Sequence, residues 1–286
     1  MILVTGAAGK TGRAVIRALH ARGHALRALV RRPEQARPIQ DLGAADVVTG
    51  DMRRPETLLA AAAGARAVVH ICPNMAPDEA AIGCNVIAAA RAACVEHLVY
   101  HSVLHPQVEA MPHHWQKMRV EEQLFESGIP FTILQPAAYM QNILAGWERI
   151  AQDGVYAVPY AVETRLGMVD LEDVAQAVAV VLTEAGHEGA TYELAGGEML
   201  SQAEVATTLS RQLMRPVRAE AVPPDAWERR ARELGLGEYA IDTLLKMFRY
   251  YERYGFWGNP RVLTGLLGRP PATLAAFVER VRCSQS

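Results

Sequence analysis

Short apolar runs alternate with segments of helical periodicity along the first half of the chain. Strands are predicted at residues 1–5, 25–30, 45–49, 66–72, 97–102 and 131–135, and helices at about 12–22, 34–42, 55–63, 78–95 and 114–127. Runs of this length that are apolar throughout are typical of strands buried on both faces. Their alternation with helices predicts repeated βαβ units, and therefore a doubly wound parallel sheet that binds ligands at the carboxyl ends of its strands.

From about residue 201 the helical pattern dominates. Helices are predicted at 202–213, 224–234 and 238–254, with a break at Pro223-Pro224. The last of them leads into an aromatic cluster, too rich for an exposed surface, that comprises Phe248, Tyr250, Tyr251, Tyr254, Phe256 and Trp257. Three interpretations stay open for this cluster: the floor of a pocket for a flat aromatic substrate, core packing, or the face of a homodimer.

The first predicted strand runs directly into three glycines, Gly6, Gly9 and Gly12. The first amides of the following helix have no intrahelical partner and carry partial positive charge, so a pyrophosphate can accept their hydrogen bonds where no side chain blocks it. The turn therefore predicts a dinucleotide site, against the alternative that Gly6 merely ends a strand. A triphosphate P-loop is disfavoured, because its first glycine would fall at Val4, inside the strand.

Two arginines, Arg31 and Arg32, follow the second predicted strand. In dinucleotide folds that select NAD, an acidic residue about twenty positions after the glycines accepts hydrogen bonds from the ribose hydroxyls. An arginine at this place instead offers a planar fork to a 2′-phosphate. The sequence thus favours NADP(H), against the alternative that both arginines form a solvated turn.

The ends of the third and fourth predicted strands carry further candidates. Asp51 can accept a hydrogen bond from the adenine amino group while Met52 packs on the ring, or Asp51 can simply cap a turn. Cys72 is interpreted as a small buried hydrophobic residue rather than a redox thiol.

Lys117, in the helix predicted after strand five, is chemically unusual for this chain. Of the 29 basic residues three are lysines, so a lysine needs a specific explanation. A compact ammonium can donate to both hydroxyls of a ribose and so hold a nicotinamide in place. The alternative is an exposed lysine paired with Glu121, one helical turn later.

Composition narrows the class of ligand. The 286 residues, half of them hydrophobic, suffice for one large α/β domain, alone or with a small lobe. A net charge of -2 and a pI near 6.5 argue against non-specific nucleic-acid binding, and no apolar run reaches the eighteen or so residues of a membrane span. Four cysteines at no metal-ligand spacing and the absence of a basic leader predict a reduced cytoplasmic protein without a metal site.

Several motifs together resemble one family. They are TGAAGKTG at 5–12, the Arg-Arg-Pro turn after Val30, SVLHP at 102–106, Lys117 ahead of an acidic helix, EAGHEG at 184–189, YELAG at 192–196 and LGRPP at 267–271. This combination is similar to the NmrA-like atypical short-chain dehydrogenase/reductases, and within them to the bacterial type-2 NADPH:quinone oxidoreductases. The similarity extends over nearly the whole chain.

The resemblance implies an α/β fold, a Rossmann-type doubly wound parallel sheet with a small, mainly helical C-terminal substrate lobe that covers the nicotinamide. Residues 1–155, with segments at about 164–196 returning, would form the NADP(H)-binding domain, and residues 197–286 the lobe. The implied activity is hydride transfer from NADPH to a quinone or similar flat, electron-poor small molecule. The alternative is a non-catalytic NADP(H) sensor, because some NmrA-like proteins bind the cofactor to regulate a partner.

The residues expected to contact the cofactor are Gly6, Ala8, Gly9, Lys10, Thr11, Gly12, Arg31, Arg32, Asp51, Met52, Ile71, Cys72, Pro73, Ser102, Lys117 and Pro136. Tyr139 and Asn142 are expected to contact the substrate from one face of a helix, three residues apart. Lys117, Tyr139 and His113 are the candidate catalytic residues.

His113 stands four residues before Lys117, where tyrosine-dependent dehydrogenases have their catalytic tyrosine. This departure argues against alcohol chemistry that uses a tyrosine acid. Reduction of a quinone gives a stabilised anion that can collect its proton from solvent, so positioning and an electropositive pocket suffice. His113 could still donate a proton if its pKa were near neutrality; the alternative is a packing or surface histidine.

Overall fold

The computed structural model describes residues 1–285, which form two compact units. The first unit comprises Met1–Val108, His113–Gln135 and Glu172–Tyr192, and the second comprises Glu109–Pro112, Pro136–Leu171 and the residues from Glu193 onward. The strands are β1 (Ile2–Val4), β2 (Leu26–Val30), β3 (Asp46–Thr49), β4 (Ala67–His70), β5 (His97–His101), β6 (Phe131–Pro136), β7 (Ala138–Tyr139), β8 (Val155–Val158), β9 (Arg165–Val169), β10 (Ala190–Leu194), β11 (Met199–Ser201) and β12 (Arg218–Ala221). The α-helices are α1 (Lys10–Ala21), α2 (Ala36–Gln40), α3 (Pro55–Ala62), α4 (Glu79–Ala92), α5 (Pro112–Phe125), α6 (Trp147–Asp153), α7 (Leu171–Thr183), α8 (Gln202–Leu213), α9 (Pro224–Glu233), α10 (Glu238–Tyr254), α11 (Arg261–Leu267) and α12 (Leu274–Gln285), and 3-10 helices span Pro33–Gln35 and Met140–Gly146.

A seven-stranded sheet organises the first unit, in the order β10-β6-β5-β4-β1-β2-β3. The pairs from β6 to β3 are all parallel, and Val4 of β1 lies opposite both Ala28 of β2 and Val69 of β4. Strands β1, β4 and β5 are buried along their whole length, as the continuous apolar runs predict. The predicted doubly wound parallel sheet is confirmed.

The order of the strands reverses at β1. The chain runs outward from β1 to β2 and β3, and then returns to build β4, β5 and β6 on the other side. Ligands of such sheets bind outside the carboxyl ends of the strands at this reversal. The loops that follow β1 and β4 are therefore the expected place for a ligand.

The second unit contains two small sheets as well as helices. Strands β11, β9 and β7 form one sheet and β12 pairs with β8 in the other. Its core packs residues such as Trp147, Leu209 and Phe277 around these strands. Residues 136–171 thus lie in this unit rather than in the first, which makes it less purely helical than the expected lobe; the domain boundaries at 155 and 197 stay a prediction.

Within residues 1–285, no helix has the length and apolar character that crossing a bilayer requires.

Candidate active site

The three positions after β1 that hold glycine require it for different structural reasons. Gly6 has φ +60°, and a Cβ there would lie 2.4 Å from the carbonyl oxygen of Ile71. A Cβ on Gly12 would lie 2.4 Å from the Gly6 carbonyl oxygen and 2.6 Å from Cα of Ala7. Both positions are therefore closed to any side chain by the protein's own backbone, one for the tight turn and the other for close packing of α1 against the turn.

Gly9 differs, because a Cβ there would meet one backbone oxygen at a tight but tolerable distance rather than several atoms at overlapping ones. Among the described residues, a Cβ on Gly9 would come within 4 Å of the Gly6 carbonyl oxygen, at 3.3 Å, and of no other neighbour. Gly9 is the N-cap of α1, no side chain caps the helix there, and its first turn holds no acidic residue. The amides at this helix start, with exposed Lys10 beside them, therefore form an accessible site for an anion, and a pyrophosphate fits.

Arg31 directly follows β2 and so lies, like the glycine turn, at the carboxyl ends of the strands. Its backbone amide donates to Oε1 of Gln35 at 3.1 Å, which fixes the start of the loop. Arg32 is already engaged, since its Nε lies 3.0 Å from Oε1 of Glu34. Within residues 1–285 the exposed Arg31 guanidinium makes no ion pair, so it is the better of the two for a phosphate.

Asp51 acts as a turn cap. Its Oδ1 accepts the backbone amide of Arg53 at 3.0 Å, and Thr57 Oγ1 donates to its carbonyl oxygen at 2.7 Å. Half-buried Met52 packs against the small core formed by Cys72, Ala76 and Ile82. The structure thus shows Asp51 capping its own turn. Contacts of Asp51 and Met52 with adenine stay a prediction.

The loop after β4 lies beside the glycine turn, because β4 and β1 are neighbours. Ile71 and Cys72 are buried and Pro73 is exposed. Burial raises the pKa of the Cys72 thiol well above its usual range, with the charge of Glu79 adding to the effect. Cys72 is therefore held as a neutral thiol, which agrees with a packing role rather than a redox one.

Lys117 is paired with a partner that lies 38 residues earlier in the chain. Its Nζ lies 2.6 Å from Oε1 of Glu79 and 3.4 Å from the carbonyl oxygen of His101. Glu79 is 1% exposed and also accepts the hydroxyl of Tyr100 at 3.1 Å. The alternative pairing of Lys117 with Glu121 is wrong.

Glu121 belongs instead to a second buried polar group. Gln135 Nε2 donates to both of its carboxylate oxygens, at 3.0 and 2.9 Å, and Ser102 Oγ donates to Oε1. The Ser102 hydroxyl is thus used within the protein. Burial raises the pKa of the Glu121 carboxyl, while the bonds from Ser102 and Gln135 lower it.

His113 is not placed to serve as an acid. It is buried, and its Nδ1 has no hydrogen-bond partner among the described residues. Burial lowers its pKa to about 2, with smaller contributions from His114 and Lys117. The imidazole is therefore neutral near pH 7, and the expectation that it could give up a proton as imidazolium is corrected to a packing role.

Pro136, Tyr139 and Asn142 all lie in the second unit. Tyr139 ends the short strand β7, which pairs with β9 through Tyr139 and Val169, and a 3-10 helix begins only at Met140. The expectation that Tyr139 and Asn142 share one helix face is therefore wrong for Tyr139. Pro136 is buried at the end of β6.

The aromatic cluster divides between core and surface. Tyr251 and Phe256 are buried and stacked, with ring centroids 4.6 Å apart. Tyr254 and Trp257 are 58% and 55% exposed and line a surface cavity of about 350 Å³ within the second unit. Core packing thus explains only part of this cluster.

Two residues of the site were not found from the sequence. Glu79 looked like an ordinary first-turn carboxylate of a helix, and Tyr100 like one more apolar residue of β5. An acidic residue at the start of a helix that faces a strand ending in polar residues could have indicated Glu79. Acidic residues are common at helix starts, however, so this signal is not specific.

Comparisons with known proteins agree over most of the chain. The sequence profile of the NmrA-like family matches residues 1–272. The NAD(P)H azoreductase of Xenophilus azovorans is 31% identical over 281 residues, which cover 98% of this chain and 97% of that protein. The crystal structure of the NADPH-dependent quinone oxidoreductase QOR2 of Escherichia coli with NADPH has a TM-score of 0.86 and 29% identity, and covers 99% of this chain and 100% of that one. The triphenylmethane reductase of Citrobacter sp., crystallised with NADP(H), has a TM-score of 0.84 and 27% identity, with coverage of 98% and 99%.

Proposed function

The chain belongs to the NmrA-like family, and from this premise we propose that it is an NADPH-dependent reductase that acts on a quinone or a similar flat, electron-poor small molecule. The proteins to which it is similar include an NAD(P)H azoreductase and an NADPH-dependent quinone oxidoreductase. The observation that carries the proposal is the open helix start at Gly9, flanked by two glycines that the backbone itself requires.

Arg31 supports the choice of NADPH over NADH. Its exposed guanidinium follows β2, the strand next to the glycine turn, and makes no ion pair within residues 1–285. In the proposal it forms the charge-assisted hydrogen bonds that a 2′-phosphate accepts. An acidic residue, which would favour the unphosphorylated ribose, is absent from the two positions that follow β2, Arg31 and Arg32.

Lys117 has the role of holding the nicotinamide ribose. Two of its three ammonium hydrogens are used by Glu79 and the His101 carbonyl, so a third remains for a ribose hydroxyl. Because its charge is already balanced by Glu79, the ammonium serves as a fixed donor more than as a free positive charge.

The lack of a charged acid at the position of the usual catalytic tyrosine favours quinone-like acceptors. The position four residues before Lys117 holds His113, which is neutral and buried. NADPH, when bound, supplies the hydride. A quinone that accepts it becomes a hydroquinone anion, which takes its proton from water, whereas a simple ketone would leave a far more basic alkoxide that needs an acid.

Tyr139 and Asn142 are proposed to contact the acceptor. Half-buried Tyr139 and exposed Asn142 offer a ring for stacking and an amide for a carbonyl oxygen. The cytoplasm is the proposed location, which is consistent with free Cys72, Cys84, Cys94 and Cys283. Homodimer formation stays a prediction that light scattering can check.

The proposal is tested by following NADPH oxidation at 340 nm with a panel of quinones, azo dyes, triphenylmethane dyes and simple ketones. We expect turnover with quinones or dyes, little with ketones, and a strong preference for NADPH over NADH. Tyr139→Ala should raise KM for the acceptor without changing the Kd for NADPH. Turnover of ketones alone, or of none of the panel, contradicts the proposal.

A second function, NADP(H) sensing without turnover, is favoured by one observation, the buried neutral His113 in the place of a catalytic acid. It predicts tight binding, different affinities for NADPH and NADP⁺, and no oxidation with any acceptor of the panel.

A further inference from the structure

Glu79 is a buried carboxylate on which three elements converge. It is the first residue of α4, it accepts the Lys117 ammonium of α5 at 2.6 Å, and it accepts the Tyr100 hydroxyl of β5 at 3.1 Å. Lys117 retains 16% of its side-chain exposure, whereas Glu79 retains 1%. The cation is thus partly open to a ligand while its counter-ion is enclosed.

Such a pair is not explained by stability alone. Removing two charges from water is costly, and replacement of a buried ion pair by apolar residues is often neutral or stabilising. Three features offset the cost for Glu79: the Lys117 charge, the Tyr100 hydroxyl and the partial positive charge at the start of α4. What the pair specifies is the position of the ammonium.

A lysine needs such help because its ammonium sits on a flexible four-carbon stem. Here Oε1 of Glu79 fixes one ammonium hydrogen and the His101 carbonyl oxygen, at 3.4 Å, accepts a second. The ammonium also lies 5.7 Å from the centre of the Tyr100 ring. Tyr100 is fully buried, and burial together with the Glu79 charge raises its pKa well above the usual value, so its hydroxyl stays a donor that holds the carboxylate.

We propose that Glu79 is a positioning residue for the reductase: its carboxylate, held by Tyr100, fixes the Lys117 ammonium so that the remaining hydrogen is available to the cofactor ribose. The inference rests on the proposed role of Lys117. Glu79 acts on the cofactor only through Lys117, and Tyr100 acts only through Glu79.

The test compares Glu79→Gln with the double variant Glu79→Gln/Lys117→Met, each read as its Kd for NADPH. We expect Glu79→Gln to weaken NADPH binding about tenfold, and the double variant Glu79→Gln/Lys117→Met to be no weaker than Glu79→Gln by more than about twofold. Tyr100→Phe should give a smaller loss, about threefold, that disappears when Glu79 is already Gln. A control variant, Lys246→Met, removes an exposed lysine paired with Asp242 and should leave the Kd unchanged.

Lys117→Met alone would leave the Glu79 carboxylate buried without its cation, which strongly destabilises the fold, so the comparison of Glu79→Gln with the double variant decides the question. A double variant that binds NADPH several-fold more weakly than Glu79→Gln, or a Glu79→Gln variant that binds NADPH as the natural protein does, would overturn the inference. Because the readout is cofactor affinity, a failure of quinone turnover would overturn the proposed function without affecting this result. A double variant with natural affinity would instead show that Lys117 does not hold the cofactor.

Discussion

The carboxylate of Glu121 is bound by the side-chain amide of Gln135, at 3.0 and 2.9 Å, and not by Lys117 one helical turn earlier. Glu121 is 3% exposed, so the amide of β6 satisfies a charge that water cannot reach. This contact joins α5 to the sheet, and Lys117 pairs with Glu79 instead.

Gln135→Leu should therefore destabilise the protein. Loss of the amide leaves a buried carboxylate with fewer donors, at a cost of about 1–3 kcal/mol of unfolding free energy. Urea denaturation measures the change. The control is Gln152→Ala, which removes an exposed side chain bonded to Glu148 and should change stability by less than about 0.5 kcal/mol. Equal effects of the two substitutions would contradict this reading of Glu121.

Replacement by alanine should reduce the stability of the fold at Gly12 and the affinity for NADPH at Gly9. At Gly12 the new Cβ would lie 2.4 Å from a backbone oxygen, so Gly12→Ala should cost about 1–3 kcal/mol of stability or prevent folding. At Gly9 φ is −75° and the nearest atom lies at 3.3 Å, so Gly9→Ala should fold normally. Its methyl group would stand at the helix start and weaken NADPH binding about tenfold or more, as calorimetry can measure. Normal binding by Gly9→Ala would place the cofactor elsewhere.

Arg31→Ala should reduce affinity for NADPH about 10- to 100-fold, because a charge-assisted contact contributes about 1.5–3 kcal/mol. Affinity for NADH should change by less than about threefold, since NADH has no 2′-phosphate. Arg32→Ala should have a smaller effect, because Arg32 is paired with Glu34. Arg66→Ala is the matched control. Arg66 is an exposed arginine that precedes β4 and so lies at the amino ends of the strands, away from the proposed cofactor site. Equal losses of NADPH and NADH affinity in Arg31→Ala would remove the argument for the phosphate.

Buried histidines should make the fold sensitive to acid. Burial lowers the pKa of His70 to about 3 and that of His113 to about 2. An unfolded histidine titrates near pH 6.5, so below that pH the unfolded state binds more protons and stability falls as the pH falls toward the folded values. Each such histidine contributes a slope of about 1.4 kcal/mol per pH unit.

The measurement is urea denaturation at pH 7, 6 and 5. Between pH 6 and 5, we expect the unfolding free energy of His113→Gln to fall less steeply than that of the natural protein. The difference in slope should correspond to the uptake of about one proton on unfolding. An unchanged slope would show that His113 is protonated in the folded state.

The edge of the sheet could be predicted from the sequence because it depends on local patterns. Once the apolar runs are identified as parallel strands, the residues that follow them, such as Gly6, Arg31 and Ile71, must lie along one edge. The partners of buried charges could not be predicted in this way. Which carboxylate binds Lys117 depends on how α4 and α5 pack against β5, and helical spacing suggested Glu121 when the partner is Glu79.

Two further expectations failed for related reasons. The burial of His113 depends on which face of α5 meets the sheet, and the weakly amphipathic sequence of this helix does not show it. Tyr139 was expected to share a helix face with Asn142, three residues later, but β9 offers Ala138 and Tyr139 a strand to pair with. Tertiary pairing overrides local preference in such short segments.

The most direct measurement is a single-turnover experiment in which the protein, saturated with NADPH, is mixed with a quinone while absorbance at 340 nm and hydroquinone formation are followed. We expect one hydroquinone for each NADPH oxidised, at a rate that saturates with quinone. A protein that binds NADPH tightly and holds it unoxidised in the presence of every quinone and dye of the panel would contradict the assignment as a reductase.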